Sequence, residues 1–310
     1  MARVSVIGGG VIGLTVAHEL ATYGHRVTVL AARDHRASVS SVAAAIWFPH
    51  AVSRTPRVLA SADVTRRRLV DLSRDPATGV RLRAGTVLSR RPEPDLSWTD
   101  AMPDCHPAGP NVPPGATGIR CTLPLVVTDV YLDWLRQRVE TLGVRIDARA
   151  IDSLDEVTDG DAVVVAAGLG SAALLGGDPE LFPIRGQVVR LANPGLTDWL
   201  LDDDNPAGLT YVVPRDHDVV CGGTGDIGSW DEAVHPDVEA AILDRVTALM
   251  PELAGQPVLS RAAGLRPART SVRLEVVPGY SAPVIACYGH GGSGFTLSWG
   301  EAAEVVRLLA

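Results

Sequence analysis

The chain has 310 residues, enough for one large domain or two interleaved ones around a sizeable buried core. A formal charge of -8 excludes the clustered basic footprint that meets nucleic-acid phosphates or an anionic membrane, so no nucleic acid and no membrane are expected as partners, and small molecules are. All 28 basic residues are arginine, which excludes a lysine Schiff base, a lysine general base and a phosphate-gripping Walker lysine.

In chain order, "RVSVI" reads as a strand, "GGGVIGL" as a turn, "TVAHELATYG" as a helix closed by Gly24, and "HRVTVL" as a second strand. This βαβ unit carries Gly8, Gly10 and Gly13 in G-x-G-x-x-G spacing, with Val11 and Ile12 between them. The first glycine permits the turn, the second lets a pyrophosphate approach, and the third allows close helix–strand packing. An acidic residue usually closes the unit by bonding the adenosine ribose; Ala32 stands in that place, leaving Arg33 or Asp34 to substitute. The N-terminal apolar run is cut by glycines, no stretch has membrane-span length, and the chain ends "RLLA" rather than in a peroxisomal tripeptide, so a cytoplasmic location is expected. Cys105, Cys121, Cys221 and Cys287 show no CxxC or finger-like spacing; no metal is expected, and a Cys105–Cys121 bridge stays open.

Further on, apolar runs at 144–151 and 162–167 flank an acidic turn, and the second leads through Ala166 and Ala167 to Gly168. A fully apolar run suits a buried parallel strand whose small residues let a cofactor pass over its C-terminal end. Helices are expected at 129–142 and 236–250, around a mostly antiparallel sheet built from "GQVVRL", "LTYVVPR", "DVVCGGTG", "VRLEVVPG" and "APVIACYG". "YGHGGSGFTLSWGEA" then places bare backbone before the last helix, where amides can approach a ligand and a helix N-terminus offers free N–H groups. A dinucleotide domain closed by the C-terminus suits a long FAD better than a nicotinamide cofactor. The expected fold is α/β: a Rossmann-like FAD-binding domain built from noncontiguous segments (1–50, 128–178 and 282–310) plus an α+β substrate domain with a mostly antiparallel sheet (51–127 and 179–281).

Taken together, "VSVIGGGVIGL", "SSVAAAIWFPH", "VVVAAGLGS", "PIRGQVVRL", "GLRPARTSVRLE" and "YGHGGSGFTLSWGEA" resemble the D-amino-acid and D-aspartate oxidase family of FAD flavoproteins, in its microbial form, over nearly the whole chain. The resemblance implies FAD contacts at Gly8, Gly10, Val11, Ile12, Gly13, Arg33 and Asp34, and in the flavin-facing segment at Ser40, Ser41, Ala45 and Ile46. Ile151, Ala167 and Gly168 would follow from the central strand, and Gly291, Gly292, Gly294, Phe295 and Thr296 from the terminal loop. It further implies Arg273 in "SVRLE" as the fork for an α-carboxylate, Tyr211 as a hydroxyl donor to the same group, and the Gly292 carbonyl as acceptor for the amine. No acid or base residue is needed in the reaction so implied: the α-hydrogen leaves as hydride to FAD, the imino acid hydrolyses to a 2-oxo acid and ammonia, and O2 becomes H2O2. His290 is given a structural role near the flavin.

The sequence departs from the family pattern in places. Ala286–Cys287 replace a histidine–asparagine pair before Tyr288, and Ala207 stands where many members carry a second active-site tyrosine. The short stretch from Trp199 to Tyr211 argues against a long lid. Ile46, Phe48, Val213 and His50 are expected to line the pocket, and a mainly apolar lining favours neutral D-amino acids over D-aspartate, whose side chain needs a further cation. A glycine- or sarcosine-type amine oxidase is the other enzymatic reading, and a non-catalytic dinucleotide sensor is the reading of a different class. The family analogy leaves a homodimer open.

Overall fold

The computed structural model describes residues 1–110, 112–157 and 160–310. Strand β1 (Arg3–Ile7), helix α1 (Val11–Thr22) and strand β2 (Arg26–Ala31) form the expected βαβ unit. Helices α2 (Val39–Val42) and α3 (Pro56–Leu72) follow, then β3 (Val80–Ser89), β4 (His106–Pro107), β5 (Thr117–Val126) and α4 (Thr128–Thr141). Next come β6 (Arg145–Ala148), β7 (Ala162–Val165), α5 (Ser171–Leu174), β8 (Phe182–Ala192), β9 (Trp199–Asp202), β10 (Thr210–Pro214), β11 (Asp218–Gly222) and β12 (Asp226–Ile227). Helix α6 (Pro236–Leu249), the long β13 (Val258–Val277), β14 (Val284–His290) and α7 (Gly294–Leu309) complete the chain.

One sheet runs β4-β5-β3-β9-β10-β11-β8-β13-β14-β7-β1-β2-β6, with β12 added on β8. Its β14-β7-β1-β2-β6 part is parallel, as buried α/β strands are, and β1 and β7 read as near-continuous valine and isoleucine. The rest is antiparallel apart from the β3/β9 pair. Strand β13 joins the two parts: its first half pairs with β8, its second half with β14, and the register shifts between Ala268 and Arg273. The run at 144–151 narrows to Arg145–Ala148 and lies at the sheet edge beside β2, because Gly143 and the turn after Ala148 bound it. Thr158 and Asp159 of the acidic turn lie outside the described residues.

Helix α1 is buried on several sides because it lies between the parallel sheet and helices α4 and α7. Helix α3 begins with Pro56, whose missing N–H costs nothing at the first turn, and the Thr55 hydroxyl accepts the Val58 amide at 3.3 Å. It buries Val58, Ala62 and Leu69 in the main core. At the C-terminal ends of β1, β7 and β14 the chain turns through Gly8, Gly168 and Gly291, all with positive φ, and these ends open the crevice where ligands sit in parallel sheets. No helix among the described residues is long and apolar enough to cross a membrane.

Candidate active site

The glycine fingerprint is enforced by backbone contact. A Cβ on Gly8 would lie 2.3 Å from the Ala166 carbonyl oxygen, and one on Gly13 would lie 1.9 Å from that of Gly8. The turn, β7 and α1 therefore interlock only without side chains. Gly10 caps α1 without a side-chain acceptor, and Ser40 approaches it: its Oγ accepts the Val11 amide at 3.1 Å and would sit 3.2 Å from a Gly10 Cβ. Helix α7 starts against the same place, since a Cβ on Gly294 would contact Val11 at 3.5 Å. Its N-cap, Ser293, also leaves the helix amides free, donating its hydroxyl to the His50 carbonyl at 2.7 Å. Two helix N-termini thus converge, with Ile12 and Phe295 in their first turns, and their positive ends favour electron-rich groups.

The segment containing Ala45 and Ile46 is held between β5 and the glycine-rich loop. Ala45 takes φ 57°, and its carbonyl accepts the Val126 amide at 2.8 Å; Ile46 bridges to Leu125. Thr296 Oγ1 donates to the Phe48 carbonyl at 2.9 Å, and a Cβ on Gly291 would lie 2.2 Å from the Ala51 carbonyl oxygen. Of the other expected contacts, Ala167 and Gly168 follow β7, while Ile151 packs beside Ile7, Leu30 and Val163. Ser41 turns its hydroxyl to the Ser38 carbonyl, and its own carbonyl accepts from Thr128 and Arg190. Arg33 is exposed after β2. Asp34 is committed elsewhere: it accepts the Arg36 amide at 2.9 Å and Arg136 at 3.0 Å, and the Arg36 amide holds its carboxyl below the usual range.

Of the expected substrate contacts, Tyr211 lies on β10. Its buried ring covers Gly222 and Gly223, where a Cβ would come within 2.2 and 2.9 Å of it. Burial raises the affinity of its phenol for its proton, while the nearby Arg266 guanidinium works the other way. The Arg266 guanidinium lies over Gly186, whose missing side chain makes room for it, and donates to the Thr224 carbonyl at 2.9 Å. The next residue, Pro267, accepts the Gly291 amide at 2.8 Å and would meet a Cβ on Gly168 at 3.7 Å, so Arg266 lies next to the turns that end β7 and β14. Opposite stands His50, bonded to Asp203 at 2.8 Å and within 2.6 Å of where a Gly292 Cβ would be. Asp203 is exposed; partial desolvation beside His50 works to raise its carboxyl, but the charge and hydrogen bond of His50 and nearby arginines hold it below its ordinary value.

The arginine expected from sequence is engaged in an ion cluster. Arg273 lies beyond the β13 register shift, opposite Tyr288 on β14 rather than on the β8 side. Its guanidinium is occupied by Glu275 at 2.7 Å, the Tyr288 hydroxyl at 2.7 Å and Asp178 at 3.5 Å. Arg269 also pairs with Asp178 at 3.0 Å, making a structural ion cluster. Arg266, Asp203 and the His50–Asp203 pair were missed by sequence reading; the signal available was a second arginine in "GLRPARTSVRLE". The expected apolar lining is also less apolar: Phe48 packs edge-on to Trp98 and Val213 is fully buried, leaving His50 paired with an acid.

Behind the glycine-rich loop, His290 is buried with its Nε2 4.0 Å from Glu301, which Arg57 holds at 3.0 Å. Burial lowers the His290 pKa to about 4. A base depressed in the fold is protonated first in the unfolded chain, so the stability it provides above pH 6.5 is lost as pH falls towards 4, by about 3 kcal/mol. Urea unfolding at pH 7 and pH 4 should show a smaller acid loss in His290→Gln than in the parent chain. Equal losses would place the proton elsewhere.

The paired helix N-termini, the Cβ-free turns and the 45–51 segment fit an extended dinucleotide carrying a ring system. The chain belongs to the family described as FAD dependent oxidoreductase, whose model matches residues 3–308. It is thus an FAD-dependent oxidoreductase. It is similar to the D-amino-acid oxidase of Rubrobacter xylanophilus, 42% identical over 99% of this chain and 96% of that one, and to that of Streptomyces coelicolor, 38% identical over 99% and 97%. The human D-aspartate oxidase is 31% identical over 100% of this chain and 95% of its own. Among solved structures, glycine oxidase from Geobacillus kaustophilus shares the fold with a TM-score of 0.83 at 19% identity, covering 100% of this chain and 95% of that one.

Proposed function

We propose that the protein oxidises neutral D-amino acids to 2-oxo acids and ammonia, reducing O2 to H2O2. Segments 1–50, 128–178 and 282–310 hold FAD, and 51–127 and 179–281 hold the substrate. The observation that carries this reading is the Tyr211–Arg266 pair beside the cofactor crevice, a phenol and a planar cation converging as a carboxylate clamp. Bound FAD supplies the two-electron acceptor for the α-hydrogen and passes the electrons to O2. Arg266 and Tyr211 bind the α-carboxylate and fix the α-carbon, while the Gly292 carbonyl accepts a hydrogen bond from the neutral amine. The first-turn amides of α7 would favour negative charge on a cofactor ring bound against them. The imino acid leaves and reacts with water.

Asp203 separates this reading from a D-aspartate enzyme. An ionised acid close to Tyr211 and already paired with His50 repels a second substrate carboxylate. Oxygen uptake with D-valine, D-methionine or D-phenylalanine should therefore exceed that with D-aspartate. A tenfold or greater preference for D-aspartate would overturn the substrate class. Free cysteines fit a reducing cytoplasm.

A further inference from the structure

Strand β4 runs antiparallel to β5, with His106 opposite Arg120 and Pro107 opposite Ile119. The Ala108 amide donates to the Gly118 carbonyl at 2.8 Å, so hydrogen-bonded pairs fall at 108/118 and 106/120. Cys105 directly precedes β4 and Cys121 follows Arg120 on β5, so the same register carried one step further sets them opposite each other in a non-hydrogen-bonded position. Such pairs bring Cα atoms to about 4.5 Å, within the roughly 4.4–6.8 Å that a disulfide spans. Both thiols are free, and they lie near enough for each to shift the other's titration. Cys105 is partly exposed, Cys121 is buried, and Cys221 and Cys287 are fully buried.

We propose that Cys105 and Cys121 form a site of oxidative modification by H2O2, the product of the enzyme's own turnover. The peroxide source rests on the function proposed above. The Cys105 thiolate attacks one peroxide oxygen; an S–O bond forms, the O–O bond breaks, and the leaving hydroxide takes a proton to become water. The Cys121 sulfur then attacks the Cys105 sulfur, an S–S bond forms, the S–O bond breaks and a second water leaves. In sum, two thiols are oxidised and one H2O2 is reduced to two waters.

Burial and the nearby Asp104 raise both thiols above their usual range, while Arg120 works the other way on Cys121. The thiolate is the nucleophile, so the reaction is slow at neutral pH and quickens by about tenfold per pH unit. The bridge ties β4 to β5. The far end of β5 holds the flavin-facing segment through Leu125–Ile46 and the Val126 amide on the Ala45 carbonyl. Oxidation therefore staples a strand on which the site is built.

The test uses flavin-loaded enzyme and non-reducing peptide mass mapping. Added H2O2 should link the peptides containing Cys105 and Cys121, with a mass loss of about 2 Da, and raise Tm by roughly 3–6 °C, reversibly by dithiothreitol. Turnover of a D-amino acid in air should form the same link, and catalase should prevent it. Cys105→Ser should keep its activity and form no link. Added peroxide that leaves both thiols intact, or oxidises Cys105 without linking it, overturns the site. A link with added peroxide but none during peroxide-releasing turnover overturns self-modification. A link with added peroxide from an enzyme that releases none keeps the site and refutes the oxidase reading.

Discussion

Arg266→Leu should lower kcat/KM for a D-amino acid by roughly two to four orders of magnitude, the equivalent of about 3–5 kcal/mol in transition-state binding. Leucine removes both fork donors and leaves the substrate carboxylate facing only Tyr211, in a site already shielded by its ring. FAD content should stay the same, because no fingerprint glycine touches this side chain. Arg273→Leu should behave in the opposite way. It strips Asp178 and the Tyr288 hydroxyl of a partner, costing about 1–3 kcal/mol of stability, with kcat/KM within a few-fold of the parent. Steady-state kinetics with urea unfolding on the two variants checks both. If Arg273→Leu loses activity and Arg266→Leu keeps it, the carboxylate clamp is wrongly placed.

The second large effect belongs to Gly13. A valine there places its Cβ 1.9 Å from the Gly8 carbonyl oxygen, and backbone cannot give way as a flexible side chain can. Helix α1 must move away from the β1 turn, carrying its free amides off the pyrophosphate position. Overpacking of this kind costs about 2–3 kcal/mol, which makes FAD binding roughly 30- to 150-fold weaker. Flavin titration of Gly13→Val apoprotein measures it. Gly24→Ala provides the contrast, since a Cβ there meets no atom within 4 Å. Its positive φ costs stability but should leave FAD affinity in place. Undiminished affinity in Gly13→Val would remove the first βαβ turn from the cofactor site.

What was legible in sequence and what was not follows from the range of the interactions. Gly13 packs on Gly8 of its own turn, so the spacing alone made the first βαβ unit legible, and helices α4 and α6 fell within a residue of expectation. Sequence could not separate Arg266 from Arg273, because both lie on one strand of 20 residues and only the register shift between them decides which neighbouring strand each lies against. The His50–Asp203 bond joins residues 153 apart, and Arg136 reaches Asp34 across 102. Neither pairing leaves a periodic trace, and both alter a site that local patterning reads as apolar or as open to a ribose.

The central claim is that the Tyr211–Arg266 clamp presents a D-amino acid to FAD in one orientation. Its most direct test is the absorption spectrum of the holoenzyme mixed with substrate in the absence of oxygen. Bands at ~375 and ~450 nm from oxidised flavin should be bleached by D-valine or D-methionine, remain with the L-enantiomers, and return on admitting air. A protein that binds no flavin, or one whose flavin is bleached equally by both enantiomers, would contradict the account.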